Sequence, residues 1–142
     1  MQTNIEELFA TMLQLGKLMS KDASFNHENK TATMLQFQAL RFVLENKNTA
    51  VSDLGGSLTL SKSSATQLIE RLVKAGFLER VHDEQDRRIV RLTITKLGKQ
   101  EYEALKQKML EKVTGIFSNL PEEDIKELIR IHKKLLAQLE SK

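Results

Sequence analysis

The sequence predicts a mainly helical α+β protein. A short helix, a tight turn, a second helix and a small antiparallel hairpin follow one another, with longer helices at both ends. Three observations carry this reading. Apolar residues recur at three- and four-residue steps along most of the chain, the period of a half-buried helix. Val90, Leu92 and Ile94 alternate with Arg91 and Thr93, the period of a strand. One proline and six glycines in 142 residues leave few places where a long element must stop.

The first helix is marked by Ile5, Leu8, Phe9, Met12, Leu15 and Met19. Residues 21–30 are polar and lack a period, so they read as a connection to a second helix with Met34, Phe37, Leu40, Val43 and Leu44 on its apolar side. Residues 50–54 form a brief third helix, and Gly55 and Gly56 are expected to let the chain leave it in a left-handed conformation. Ser61 is placed to cap the fourth helix, its hydroxyl accepting from an orphan amide of the first turn. There Ala65, Leu68, Leu72 and Val73 point inward, while Lys62, Ser63, Thr66, Gln67, Glu70 and Arg71 are left for solvent or a ligand. Gly76 closes that helix. Residues 78–81 and 90–94 are strands around a charged tip, a hairpin pattern. Thr95 can cap a long helix whose stripe of Tyr102, Leu105, Met109, Val113 and Ile116 runs to about Phe117. Pro121 begins a last helix, with Glu122, Glu123 and Asp124 suited to the positive end of its dipole. Its apolar face is Ile125, Leu128, Ile129, Leu135, Leu136 and Leu139. This order is a winged helix-turn-helix core flanked by additional helices.

Composition narrows the function. Apolar residues at 40% and charged residues at 29% suit a folded domain, and no stretch approaches the roughly 20 apolar residues of a membrane span. No membrane association and no secretory leader are expected, and a cytoplasmic location is. The absence of cysteine removes thiolate metal sites and thiol catalysis. His27, His82 and His132 have no partner ligands at helical spacing, and Asp22 and Glu28 add to His27 only if folding brings another ligand near, so no metal or other cofactor is expected. Ser63 or Ser64 with His82 and Asp83 resembles a hydrolytic triad by residue type alone. No nucleophile elbow surrounds either serine, so the chain is not expected to be an enzyme. Lys and Arg number 22 against 19 Asp and Glu, a net charge of +3 that permits an anionic partner without requiring one. With no Trp and few other aromatics there is no stacking platform for single strands, which leaves the duplex as the nucleic-acid partner to weigh.

The outward face of the fourth helix carries small hydroxyl and amide side chains with a cation near each end. Such a face can enter a major groove closely enough to hydrogen-bond base edges. Ser61, Ser63, Ser64, Thr66 and Gln67 are candidates for base and nearby phosphate contacts, with Lys62 and Arg71 placed for phosphates. Gln67 is the best single base reader, since its amide can pair with two atoms of adenine. Asp86, Arg87 and Arg88 occupy the tip of a ribbon whose width suits a minor groove, where narrow A·T tracts attract guanidinium groups. A merely solvated helix face and a hairpin tip charged for solubility are the competing explanations, and the succession of the two elements argues against both.

Residues 51–98, about a third of the chain, resemble the MarR family of winged-helix transcription regulators. The resemblance rests on Val51-Ser52-Asp53-Leu54 before the turn, Leu58 to Ser61 before the recognition helix, and Leu72-Val73-Lys74-Ala75-Gly76-Phe77-Leu78-Glu79-Arg80 at its exit. It continues through Asp83-Glu84-Gln85-Asp86-Arg87-Arg88 in the wing and Ile94-Thr95-Lys96-Leu97-Gly98 after it. It implies that Arg88 reaches into the minor groove, that Asp86 pairs with it and holds the wing's shape, and that Arg87 follows the phosphate backbone. It also implies a homodimer, to which residues 1–30 and 99–142 contribute helices while residues 31–98 form the DNA-binding core. The expected function is sequence-specific binding of double-stranded DNA as a repressor on a near-palindromic operator, with release by a small aromatic ligand. The alternative is a winged module that binds protein instead of DNA.

Overall fold

The computed structural model describes residues 2–19 and 32–141. The connection expected over residues 21–30, with Asp22, His27 and Glu28, lies outside them, as does the side chain of Met19. The described elements are α1 (Gln2–Met19), α2 (Ala32–Glu45), β1 (Thr49–Ala50), α3 (Val51–Ser57), α4 (Lys62–Lys74), β2 (Leu78–His82), β3 (Val90–Ile94), α5 (Lys96–Phe117) and α6 (Glu122–Glu140). The chain divides into a winged unit, His27–Lys106, and a helical unit made of Met1–Asn26 and Gln107–Lys142.

In the winged unit the apolar faces of α2, α3 and α4 close over a core that includes Phe37, Leu40, Leu54, Leu68, Ile69 and Leu72. Phe37 and Tyr102 stack with ring centroids 5.2 Å apart. Ile69, which the periodicity reading passed over, is buried as deeply as its neighbours. Leu44 lies on the same side of α2 as Phe37 and Leu40, as expected, but in the last turn of the helix it is 36% exposed. The hairpin pairs Leu78 with Ile94 and His82 with Val90. It gains a third strand that the sequence did not announce: β1 pairs antiparallel with β3, Thr49 opposite Leu92, giving the order β1-β3-β2. Two residues are too few to display an alternating pattern.

The glycine expectation at α3 is corrected. Gly55 and Gly56 lie inside the helix, not at its exit, and the left-handed residue in the turn to α4 is Thr59, at φ +55°. Gly55 serves close packing: a Cβ there would stand 3.1 Å from that of Ala65 on α4. The end of α4 follows expectation. Gly76 adopts φ +83°, its amide donates to the Val73 carbonyl, and the Phe77 amide donates to that of Leu72, the paired bonds of a Schellman turn.

The Thr95-x-x-Gly98 spacing has a steric cause. Thr95 Oγ1 accepts from the Gly98 amide at 2.9 Å and lies 2.6 Å from the Gly76 carbonyl oxygen, to which it donates. A Cβ on Gly98 would fall 2.1 Å from the Phe77 carbonyl oxygen, so no other residue fits unless the backbone moves. One hydroxyl thereby caps α5 and ties its start to the end of α4.

In the helical unit, Ile5, Leu8 and Phe9 of α1 pack with Leu110 and Val113 of α5 and with Ile125 and Ile129 of α6. Burying a side chain of this size contributes about 1.5–3 kcal/mol. Thr11 is buried and donates to the Leu8 carbonyl at 2.8 Å, with His132 Nδ1 3.3 Å from the same hydroxyl. Lys133 pairs with Glu7 across the α1–α6 seam at 2.6 Å. Part of the apolar surface stays outside this core. Ile131, Leu135 and Leu139 form an exposed line along α6, and Ile116 on α5 is 69% exposed.

Candidate nucleic-acid interface

Helix α4 is built to be half buried. Its inward residues Ala65, Leu68, Ile69 and Leu72 sit in the core, and Ser61, Lys62, Ser63, Ser64, Thr66, Gln67 and Arg71 are all exposed. Ser61 is the N-cap, accepting from the Ser64 amide at 3.1 Å, and its hydroxyl donates to Ser64 Oγ at 3.0 Å. Thr66 Oγ1 donates to the Lys62 carbonyl at 2.9 Å. The hydroxyl protons of Ser61 and Thr66 are therefore spent within the helix, and both groups meet a ligand chiefly as acceptors. Ser63 and Gln67 make no side-chain hydrogen bond among the described residues.

The wing tip is shaped by two carboxylates. Asp83 Oδ1 accepts from the amides of Gln85 at 2.8 Å and Asp86 at 3.0 Å, which folds the turn, and Asp83 Oδ2 accepts from Arg91 Nε at 3.1 Å. Those amides, with Arg91, hold the Asp83 carboxyl below its ordinary pKa. Arg91 Nη1 also donates to the Asn48 carbonyl at 2.7 Å, bracing the wing against the segment before β1. Asp86 takes Arg88 in a two-pronged grip, Nε to Oδ1 and Nη2 to Oδ2, both at 3.0 Å, and accepts the Arg88 amide at 3.1 Å. The guanidinium, followed by that amide, holds Asp86 below its ordinary pKa, and the same carboxylate raises Arg88.

Two of the five guanidinium N–H groups of Arg88 are engaged in this way, and the side chain is 91% exposed. Its remaining donors have no partner among the described residues, and Asp86 fixes the direction of the fork. Arg87 is exposed, and its carbonyl lies 3.0 Å from His82 Nδ1. His82 is thus part of the wing's frame.

All nine candidate contact residues are on the surface of one unit, seven on α4 or its cap and two at the wing tip. Sequence reasoning missed the brace formed by Asp83, Arg91 and the Asn48 carbonyl. The one available signal was an Arg in a strand next to an Asp-rich tip, and no spacing rule says that such charges meet.

An exposed polar α4, followed by a braced hairpin with a presented arginine, defines a winged helix-turn-helix regulator of the DNA-binding class. The MarR family model matches residues 32–90. The HTH-type transcriptional regulator FarR of Neisseria gonorrhoeae is 31% identical over 104 residues, covering 73% of this chain and 68% of that protein. The uncharacterized HTH-type regulator YsmB of Bacillus subtilis is 31% identical over 90 residues, 63% of this chain and 62% of its own length. A MarR family protein of Bacillus stearothermophilus superposes with TM-score 0.65 at 26% identity, over 94% of this chain and 87% of that one. FabT of Streptococcus pneumoniae, solved in complex with DNA, superposes with TM-score 0.60 at 22% identity, over 94% and 90%. The chain belongs to the MarR family of HTH-type, DNA-binding transcription regulators, a family of regulators and not of enzymes. Among the described residues no helix is long and apolar enough to cross a membrane.

Proposed function

We propose that this chain is a homodimeric cytoplasmic repressor that reads a near-palindromic operator. In this reading α4 enters the major groove, with Gln67 and Ser63 on base edges and Ser61, Ser64 and Thr66 on bases or nearby phosphates. Lys62 and Arg71 track phosphates on either side. Arg88, aimed by Asp86, enters the adjacent minor groove, and Arg87 follows the backbone. The observation that carries the reading is the coexistence, in one unit, of an α4 face exposed from Ser61 to Arg71 and a guanidinium fork presented by a carboxylate.

Dimerisation through residues 1–30 and 99–142 is supported by the exposed line Ile131, Leu135 and Leu139, apolar surface that a second copy would cover. Two-fold pairing sets two α4 helices about 34 Å apart, one turn of duplex. Repression follows from occupancy, since a dimer lying across a promoter needs no further contact to block it. Release by a small aromatic ligand is the regulatory step this family relationship favours.

Selection of bound duplexes from a random pool tests the proposal. A two-fold motif with half-sites about one helical turn apart is the expected product. A pool that never converges, or converges on a single unrepeated site, contradicts it.

A further inference from the structure

We infer that Glu70 is a specificity-determining residue of the α4 face, accepting a hydrogen bond from the exocyclic amino group of a cytosine in the major groove. The inference deepens the proposed operator-reading function and rests on it. At 100° per residue, the direction opposite the buried line of Ala65, Leu68, Ile69 and Leu72 passes through Ser63, Gln67, Glu70 and Lys74. Glu70 therefore stands at the centre of the exposed face, nearer the groove floor than Lys62 or Arg71, which flank it. Its exposed carboxylate has no hydrogen-bond or ion-pair partner among the described residues, although Lys74 follows one turn later and Arg71 is adjacent.

An ionised carboxylate only accepts hydrogen bonds, and beside phosphates it is repelled. The major groove offers it the cytosine N4 amino group, or the adenine N6 amino group beside an acceptor, N7, that repels it. Cytosine is the base whose groove edge presents the donor without that acceptor. With a rise of 1.5 Å per residue, Glu70 lies about 4.5 Å beyond Gln67 along α4, roughly one to two base-pair steps of 3.4 Å. Each half-site is thus expected to carry an adenine and, one or two steps away, a C·G pair.

The test compares duplex selections with the full chain and with Glu70→Ala, Glu70→Gln and Gln67→Ala. Matching thermal unfolding of the four proteins, expected at an exposed position, confirms that each is folded. In the full chain, C·G at the assigned step is expected to be favoured about tenfold or more. Glu70→Ala should bring that preference below about twofold and strengthen binding to unrelated duplex. Glu70→Gln should move it toward adenine. Gln67→Ala should relax only the neighbouring step. A Glu70→Ala matrix identical to that of the full chain at every step overturns the assignment while leaving the function standing. A full chain that enriches no motif removes the function itself, and this assignment with it.

Discussion

Asp86 joins the backbone of the wing tip to the direction of a side chain. Its carboxylate accepts both the backbone amide and the side chain of Arg88, so one group fixes the turn and aims the fork. Arg88→Ala is expected to cost about 1–3 kcal/mol of operator binding, mainly at A·T-rich flanks, whereas Lys62→Ala should weaken all sequences alike and lower the salt slope by about one. Fluorescence anisotropy across a salt series separates the two, and unchanged binding by Arg88→Ala would remove the wing from the account. The depressed carboxyls also set an acid limit. A group whose pKa is lowered by folding contributes to the folded form above its unfolded value and loses that contribution as pH falls through the folded value. The wing should therefore hold its shape at neutral pH and loosen only below about 3.9. Carboxyl-carbon NMR titration should place both midpoints below that value and move Asp86 back toward it in Arg88→Ala. An unshifted Asp86 in that variant contradicts the grip. The exposed polar face of α4 was legible because helical periodicity leaves it over once the core is assigned. The Asp83–Arg91 brace was not, because it joins residues that only the strand register brings together.

Between α3 and α4 the sequence reading went astray for a physical reason. Glycine permits a left-handed conformation and also permits close approach, and the sequence does not say which use is made of it. Here Gly55 admits the Cβ of Ala65, and the left-handed position falls to Thr59, a β-branched residue that adopts it at a cost. Thr59→Gly is expected to stabilise the winged unit by about 1 kcal/mol, relief of that strain outweighing the greater freedom of glycine in the unfolded chain. Gly55→Ala should lower stability and loosen the contact between the two helices. Denaturant melts measure both, and a destabilised Thr59→Gly contradicts the strain. The cap of α4 was readable directly, because Ser before an amphipathic run has one common use. Ser61→Ala should cost about 1 kcal/mol. The two-residue β1 offered no pattern to read, and only its pairing with β3 reveals it.

The terminal helices show how sequence and structure divide the work. Periodicity marked more apolar surface than one small core can cover, and the structure sorts it. Ile5, Leu8, Ile125 and Ile129 close on one another, while Ile131, Leu135 and Leu139 remain outside. Leu135→Lys is expected to halve the mass seen by light scattering at micromolar concentration, with little loss of protomer stability, because the side chain touches solvent in the single chain. A persistent monomer in the unaltered protein contradicts the dimer.

The central claim is that two copies of α4 and its wing grip one stretch of duplex. Hydroxyl-radical footprinting of the unaltered protein on its selected operator tests it most directly. Two protected blocks on one side of the helix, about 34 Å apart and each flanked by a minor-groove protection that vanishes in Arg88→Ala, are the predicted result. A single block, or flanking protection indifferent to Arg88, contradicts it.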